Sequence, residues 1–385
     1  MREARGGAAA WVVCRRHPLP ALFAGAAVAV CRLTTPASAA PALSALCASG
    51  LPGYSAQDGA AFCAAAATLH PRHQLPFVLS RVAASTAIAA LPLSREARRP
   101  VPGDETAIVF TGGREAAPQL HRCRLSISHE DVAAASVAWP ALPPSPGVSH
   151  DHVERNVRGT TTLSSAAAPR GTRGDFEYAV DVASVAEVHR VRRRFPHLGR
   201  RWMPQCSTEA PAEAIRRALV GMEQRPSRGE AGASDDGVVY SGAALRRRSG
   251  WWRHMPTPCA SEAEAYASVV LAQHWGAREC AVKLVGIAGR SFAYGCVRGA
   301  AALGCREECS AGSADEVRPF TGSFLAPGAL HLAAVDGAEA TALAERGLQP
   351  CFYLHTWTEW APLSDAVDLP YIVVLACAPR RTCLQ

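Results

Sequence analysis

The sequence has 14 cysteines but no Cys-x-x-Cys pair. Cys305 and Cys309 stand close together without a matching second pair. The paired-thiol signature of a zinc finger or ribbon is therefore missing. No apolar run reaches membrane-spanning length, and the best candidate, ALFAGAAVAVC at 21–31, is too short. No membrane partner is expected. The start lacks a clean secretory signal, and 385 residues exceed the size at which a core needs disulfides. Reduced thiols in a cytoplasmic protein are the expectation. Acids are nearly missing from the first 57 residues, where Glu3 stands alone among several arginines. That composition resembles a mitochondrial transit segment, which keeps a mitochondrial location open. AAWVVCRR at 9–16 also reads as a first strand. Charged residues make up 19%, with a formal net charge of +7. The surplus permits a polyanionic partner without requiring one. The Arg runs at 192–194 and 246–248 read as solvated faces or loop tips, so no nucleic acid is expected.

What is present is a folded, lobed chain. Hydrophobic residues at 49% are enough for a sizeable core. Residues 57–92 carry a broad apolar helical face, interrupted near Pro71 and Pro76. Strand patterns follow at 105–110, 123–129, 132–139 and 176–184. Helical periodicity returns at 261–286, and late strands lie at 351–357 and 371–378. Runs of strands beside helices, without strict alternation, predict an α+β fold. Pro-, Ser-, Gly- and Arg-rich composition marks 141–175 as a linker and about 204–250 as a low-complexity insertion. The resulting division is an N-terminal lobe at 1–140, the linker, and a C-terminal lobe at 176–385 holding the insertion. Two lobes would meet at a cleft, a common place for a ligand. A monomer is expected.

Three polar clusters punctuate this pattern. LSISHED at 125–131 ends a strand with Ser128 and His129. AVDVAS at 179–184 sets Asp181 inside an apolar strand, where a carboxylate is costly unless paired or metal-bound. WGARECAVKLVG at 275–286 lines up Trp275, Glu279 and Lys283 on one helix face. Each cluster alone has a plainer reading. Glu279 and Lys283 fit a surface ion pair, Asp181 a strand-end turn cap, and His129 a hydrogen-bonded core histidine.

Together, and in this order, the clusters resemble the 4′-phosphopantetheinyl transferases of the long, pseudo-dimeric type. That group includes the surfactin-synthetase activator and the human cytosolic enzyme. Its Ser-His pair, Gly-x-Asp and Trp-x-x-Lys-Glu-x-x-x-Lys-x-x-Gly are matched by Ser128-His129, Ala179-Val180-Asp181 and the run Trp275 to Gly286. Gly113-Arg114 stands where that family has a basic turn, and Arg72 and Arg81 repeat a spacing of nine residues.

The resemblance implies two similar lobes, each a small antiparallel sheet packed with helix. They would be related by a pseudo-twofold, with the active site at their interface. It implies transfer of 4′-phosphopantetheine from coenzyme A to a serine of an apo acyl carrier protein or related carrier, releasing 3′,5′-ADP. Asp181 and Glu279 would hold Mg2+, whose hard character suits carboxylate and phosphate oxygens. Glu279 would take the serine proton, directly or through water. Lys283 would bind phosphate oxygens and stabilise the leaving group. Arg72, Arg114, Ser128 and His129 would contact coenzyme A, where guanidinium forks suit phosphate. Trp275 would pack the helix. Three departures bear on metal affinity and efficiency: Ala179 replaces Gly, Ala183 stands where bacterial members carry a second acid, and Arg278 replaces Lys. Two other classes stay open, a coenzyme A-binding pseudoenzyme and a basic mitochondrial interaction protein.

Overall fold

The computed structural model describes residues 12–23, 25–34, 56–91, 123–140, 176–196, 215–216, 219, 246–285, 297–299, 317–319, 325, 329–335 and 337–381. The elements run β1 (Val12–His17), β2 (Ala27–Leu33), α1 (Ala56–Ala67), α2 (Pro71–Ala90), β3 (Cys123–His129), β4 (Ala133–Pro140), β5 (Phe176–Ser184) and α3 (Val185–Arg194). They continue through α4 (Glu262–Val285), β6 (Val297–Gly299), β7 (Val317–Pro319), β8 (Leu330–Val335), α5 (Gly337–Glu345), β9 (Cys351–Ser364) and β10 (Val367–Pro379). The fold is α+β, as the pattern predicts. One sheet has the order β1-β2-β4-β3, and the other runs β5-β10-β9-β8-β6 with β7 beside β8. All pairings are antiparallel except β7 with β8.

A four-element unit occurs twice. β2, α2, β3 and β4 make the strand order β2-β4-β3, with α2 packed on β2 and β4. β5, α4, β9 and β10 make the order β5-β10-β9, with α4 packed on β5 and β10. In each unit a long apolar helix covers a strand and the second arm of a hairpin. α4 does so with small residues: Ala265, Ala272, Gly276, Ala277, Cys280 and Ala281 are all buried. β10 is buried along its whole length, as befits a strand between β5 and β9. Each fully buried Val, Leu or Ile of such strands contributes roughly 1.5–3 kcal/mol.

Two sequence expectations need correction. Pro71 does open α2, in the first turn where its missing N–H costs nothing. Pro76, however, lies inside the helix and is buried. One lost backbone bond near the helix start is outweighed by the face formed by Val78, Leu79 and Val82. The thiols are not all reduced either. Cys14 and Cys31 are register partners on neighbouring strands and form a disulfide, and Cys63 is also disulfide-bonded. The strand expected at 105–110 and the linker at 141–175 lie outside the described residues. In the 204–250 insertion, Ile215 and Leu219 are buried and Arg216 pairs with Glu262 at 2.9 Å, so part of it joins the core. No described helix is long and apolar enough to cross a membrane.

The two sheets pack together, with β3 and β4 of one against β5 of the other. β3 ends one sheet and β5 ends the other, and the two pack together. Edge strands leave N–H groups that need acceptors. Serine hydroxyls supply them here: Ser126 Oγ accepts from Val180 N at 3.2 Å and Ser128 Oγ from Val182 N at 3.1 Å. The seam continues through buried acids. Glu177 pairs with Arg124 and Arg380. Glu359 accepts two bonds from Arg15, at 2.6 and 2.7 Å, and His17 stacks on Trp357 at 3.7 Å between ring centroids.

Candidate functional site

Asp181 is the centre of the seam. Strand alternation turns it, with Ala179 and Ala183, to one face of β5. It is only 5% exposed. Its Oδ1 accepts the Ser128 hydroxyl at 2.8 Å and the Lys283 ammonium at 3.0 Å. Lys283 also donates to the Val180 carbonyl at 2.7 Å. One residue from each sequence cluster thus meets at a single carboxylate oxygen. The bonds bridge separations of 53 and 102 residues.

The helix approaches that carboxylate closely because of Gly276. A Cβ there would sit 2.7 Å from Val374 Cγ2 and 3.6 Å from Asp181 Oδ2. Further along α4, Leu271, Trp275, Glu279 and Lys283 form a half-exposed stripe on a helix otherwise buried in its middle. Trp275 packs against the core, as expected. Burial, with Asp181 second, raises the Glu279 pKa, and Lys283 opposes the rise. Burial pulls the Lys283 pKa down, but Asp181 and its neighbours outweigh it and the net shift is upward. The ammonium is held charged. Lys283 is therefore a seam residue bonded to Asp181, beyond a simple helical pair with Glu279.

His129 projects from the end of β3 and is exposed. Burial of its ring environment lowers its pKa, and Arg81, Lys283 and His73 lower it further, while Asp181 opposes them. Arg81 and His73 are thus the α2 groups that face it. Arg72 is exposed at the start of α2, where its Nε contacts His73 Nε2 at 3.0 Å. Arg114 lies outside the described residues. Ser128 commits its hydroxyl hydrogen to Asp181 and its oxygen to Val182 N.

One residue escaped the motif comparison. Glu130, next to His129, has its pKa pushed up to about 8 by burial, then by Asp181 and Asp131, while a backbone bond from Ser184 opposes the shift. Asp181 thus has a second acid, Glu130, acting on the same region besides Glu279. The signal for Glu130 in the sequence was only its place after Ser-His. Its neighbours on β5 are brought close by the fold.

A second group of potential ligands, His189, Cys259 and Glu264, lies between α3 and the start of α4. No known family, curated protein or solved structure matches the chain.

Proposed function

We propose that the chain transfers 4′-phosphopantetheine from coenzyme A to a carrier-protein serine, at the seam between the two sheets. The observation that carries this reading is the convergence of Ser128 and Lys283 on Asp181. Three motifs shared with one transferase family, far apart in sequence, meet at one oxygen. The twice-used strand order supports a pseudo-twofold pair of lobes.

The donor set fits a hard divalent cation. Asp181, Glu279 and Glu130 offer only carboxylate oxygens, and Asp181 raises the pKa of each of the other two, a crowding that a cation relieves. Asp181 and Glu279 would hold Mg2+, which would neutralise the pyrophosphate and orient it for displacement. Glu279, with its raised pKa, suits a group that accepts the carrier-serine proton. Lys283 is kept protonated beside Asp181 and would stabilise the leaving phosphate. His129 and Arg81 would meet coenzyme A phosphates.

A second reading, a coenzyme A-binding protein without transfer, draws on the filled valences of Asp181 Oδ1 and on Ala183 in place of an acid. The test incubates the purified chain with coenzyme A, Mg2+ and an apo acyl carrier protein. Gain of the phosphopantetheine mass by the carrier supports transfer. Coenzyme A binding without mass gain favours the second reading, and no binding removes both.

A further inference from the structure

We propose that His189, Cys259 and Glu264 form a zinc site that pins the loop before α4 to α3, separate from the Asp181 seam. The three ligands come from three places: α3, the segment after the short 3-10 helix Trp251–His254, and the first turn of α4. Their ligand atoms all lie within 4.8 Å of one another. His189 Nε2 is 3.5 Å from Cys259 Sγ. Two ligands at about 2.0 and 2.3 Å from one tetrahedral ion stand about 3.5 Å apart, so this pair is spaced for zinc.

The surroundings hold His189 and Glu264 in place. The Ser268 hydroxyl donates to the Glu264 carbonyl at 3.1 Å. Zinc binding through Nε2 needs the tautomer with Nδ1–H, whose acceptor would be the Ser268 oxygen at 3.0 Å. Metal-bound histidines regularly donate their other N–H in this way. His189 is fully buried. Glu264 is held by the helix start. Its backbone N–H bonds Ser261 Oγ at 3.2 Å, and its Oε2 accepts from Ala260 N at 2.7 Å. That arrangement is close to a capping box. Arg193 approaches its Oε1 at 3.5 Å. Cys259 is half-buried, which leaves a path to solvent. Zinc would displace the Sγ proton to solvent, and thiolate and carboxylate together would neutralise the ion. Water would complete the tetrahedron. A mixed N, S and O set suits zinc and disfavours magnesium.

The test titrates metal-stripped full-length chain, its Cys14–Cys31 bridge intact, with Co2+ and Zn2+. One Zn2+ per chain should survive desalting, and Co2+ should give a thiolate-to-metal absorption band. Cys259→Ser should abolish that band and lower Zn2+ affinity by more than a hundredfold. Ser268→Ala should weaken binding by about tenfold, the low end for outer-shell partners. Asp181→Asn should leave the zinc stoichiometry unchanged, as should excess Mg2+. A band that persists in Cys259→Ser would assign the metal to other thiols and overturn the site. So would a wild-type chain without a thiolate band, in which case Glu264 is a helix cap only. Folding of each variant is checked by circular dichroism without metal. Should Cys259→Ser fail to fold, Glu264→Gln replaces it, with loss of the retained zinc as the expected result and full retention as the refuting one.

Discussion

Replacing Lys283 by Met is the most informative single perturbation. Methionine keeps the unbranched stem and removes the charge. Asp181 would lose its ammonium and keep the Ser128 hydroxyl. Breaking a fully buried pair from one side costs about 3–5 kcal/mol. The Lys283 side chain is 30% exposed and Asp181 8%, so water screens part of the attraction. The expected loss is about 2–3 kcal/mol, read as a lower urea midpoint at unchanged slope. The double variant Asp181→Asn with Lys283→Met should show a coupling of about 1.5–3 kcal/mol, the range for a hydrogen bond to a charged group. Glu279→Gln supplies the contrast, since a helical i,i+4 pair is worth only a few tenths of a kcal/mol. At a temperature where the variant is folded, turnover of an apo carrier should fall on the order of a hundredfold while the coenzyme A KM changes much less. A stability loss below about 0.5 kcal/mol, or stronger coupling to Glu279 than to Asp181, would refute the seam argument and return Lys283 to an exposed pair.

Glu130 carries a folded pKa of about 8, above its ordinary value, so the native state binds more protons than the unfolded chain between about pH 4.5 and 8. Stability should therefore fall as pH rises through that window, and Glu130→Gln should raise Tm at pH 8.5 with little change at pH 5; equal effects at both pH values would contradict the burial of its carboxyl. Gly276→Ala should destabilise by about 1–2 kcal/mol, because overpacking against Val374 exceeds the helix-propensity gain. Chemical denaturation checks this, and a more stable variant would mean that α4 and β10 separate easily. Coenzyme A affinity should drop by about 1.5–3 kcal/mol in Arg81→Ala and by much less in Arg72→Ala, since Arg81 is the one that acts on His129. Calorimetry with both variants decides, and the reverse order would restore Arg72 to the pocket.

Much of the fold could be read locally. The strands at 123–129, 176–184 and 371–378 announce themselves by β-branched and apolar runs, and α4 by helical spacing, because these signals need only neighbouring residues. The order of the three polar clusters also lies in the sequence, and with it the expectation of a metal, a phosphate and a carrier. Their meeting point does not. Ser128 and Asp181 touch because β3 packs on β5 where the two sheets meet, and Lys283 reaches Asp181 because Gly276 lets α4 settle onto β10. Taken alone, Glu279 and Lys283 fit a surface ion pair, yet the ammonium bonds a strand carboxylate 102 residues away. Pro76 looked like a break, but packing outweighed one lost bond. Cysteine spacing could not reveal the Cys14–Cys31 bridge, which depends on strand register, nor Cys259 beside His189, which depends on how α3 docks on α4. Periodicity is a property of a few consecutive residues, whereas the partner of a charge or a thiol is chosen by the tertiary packing that brings distant elements within reach.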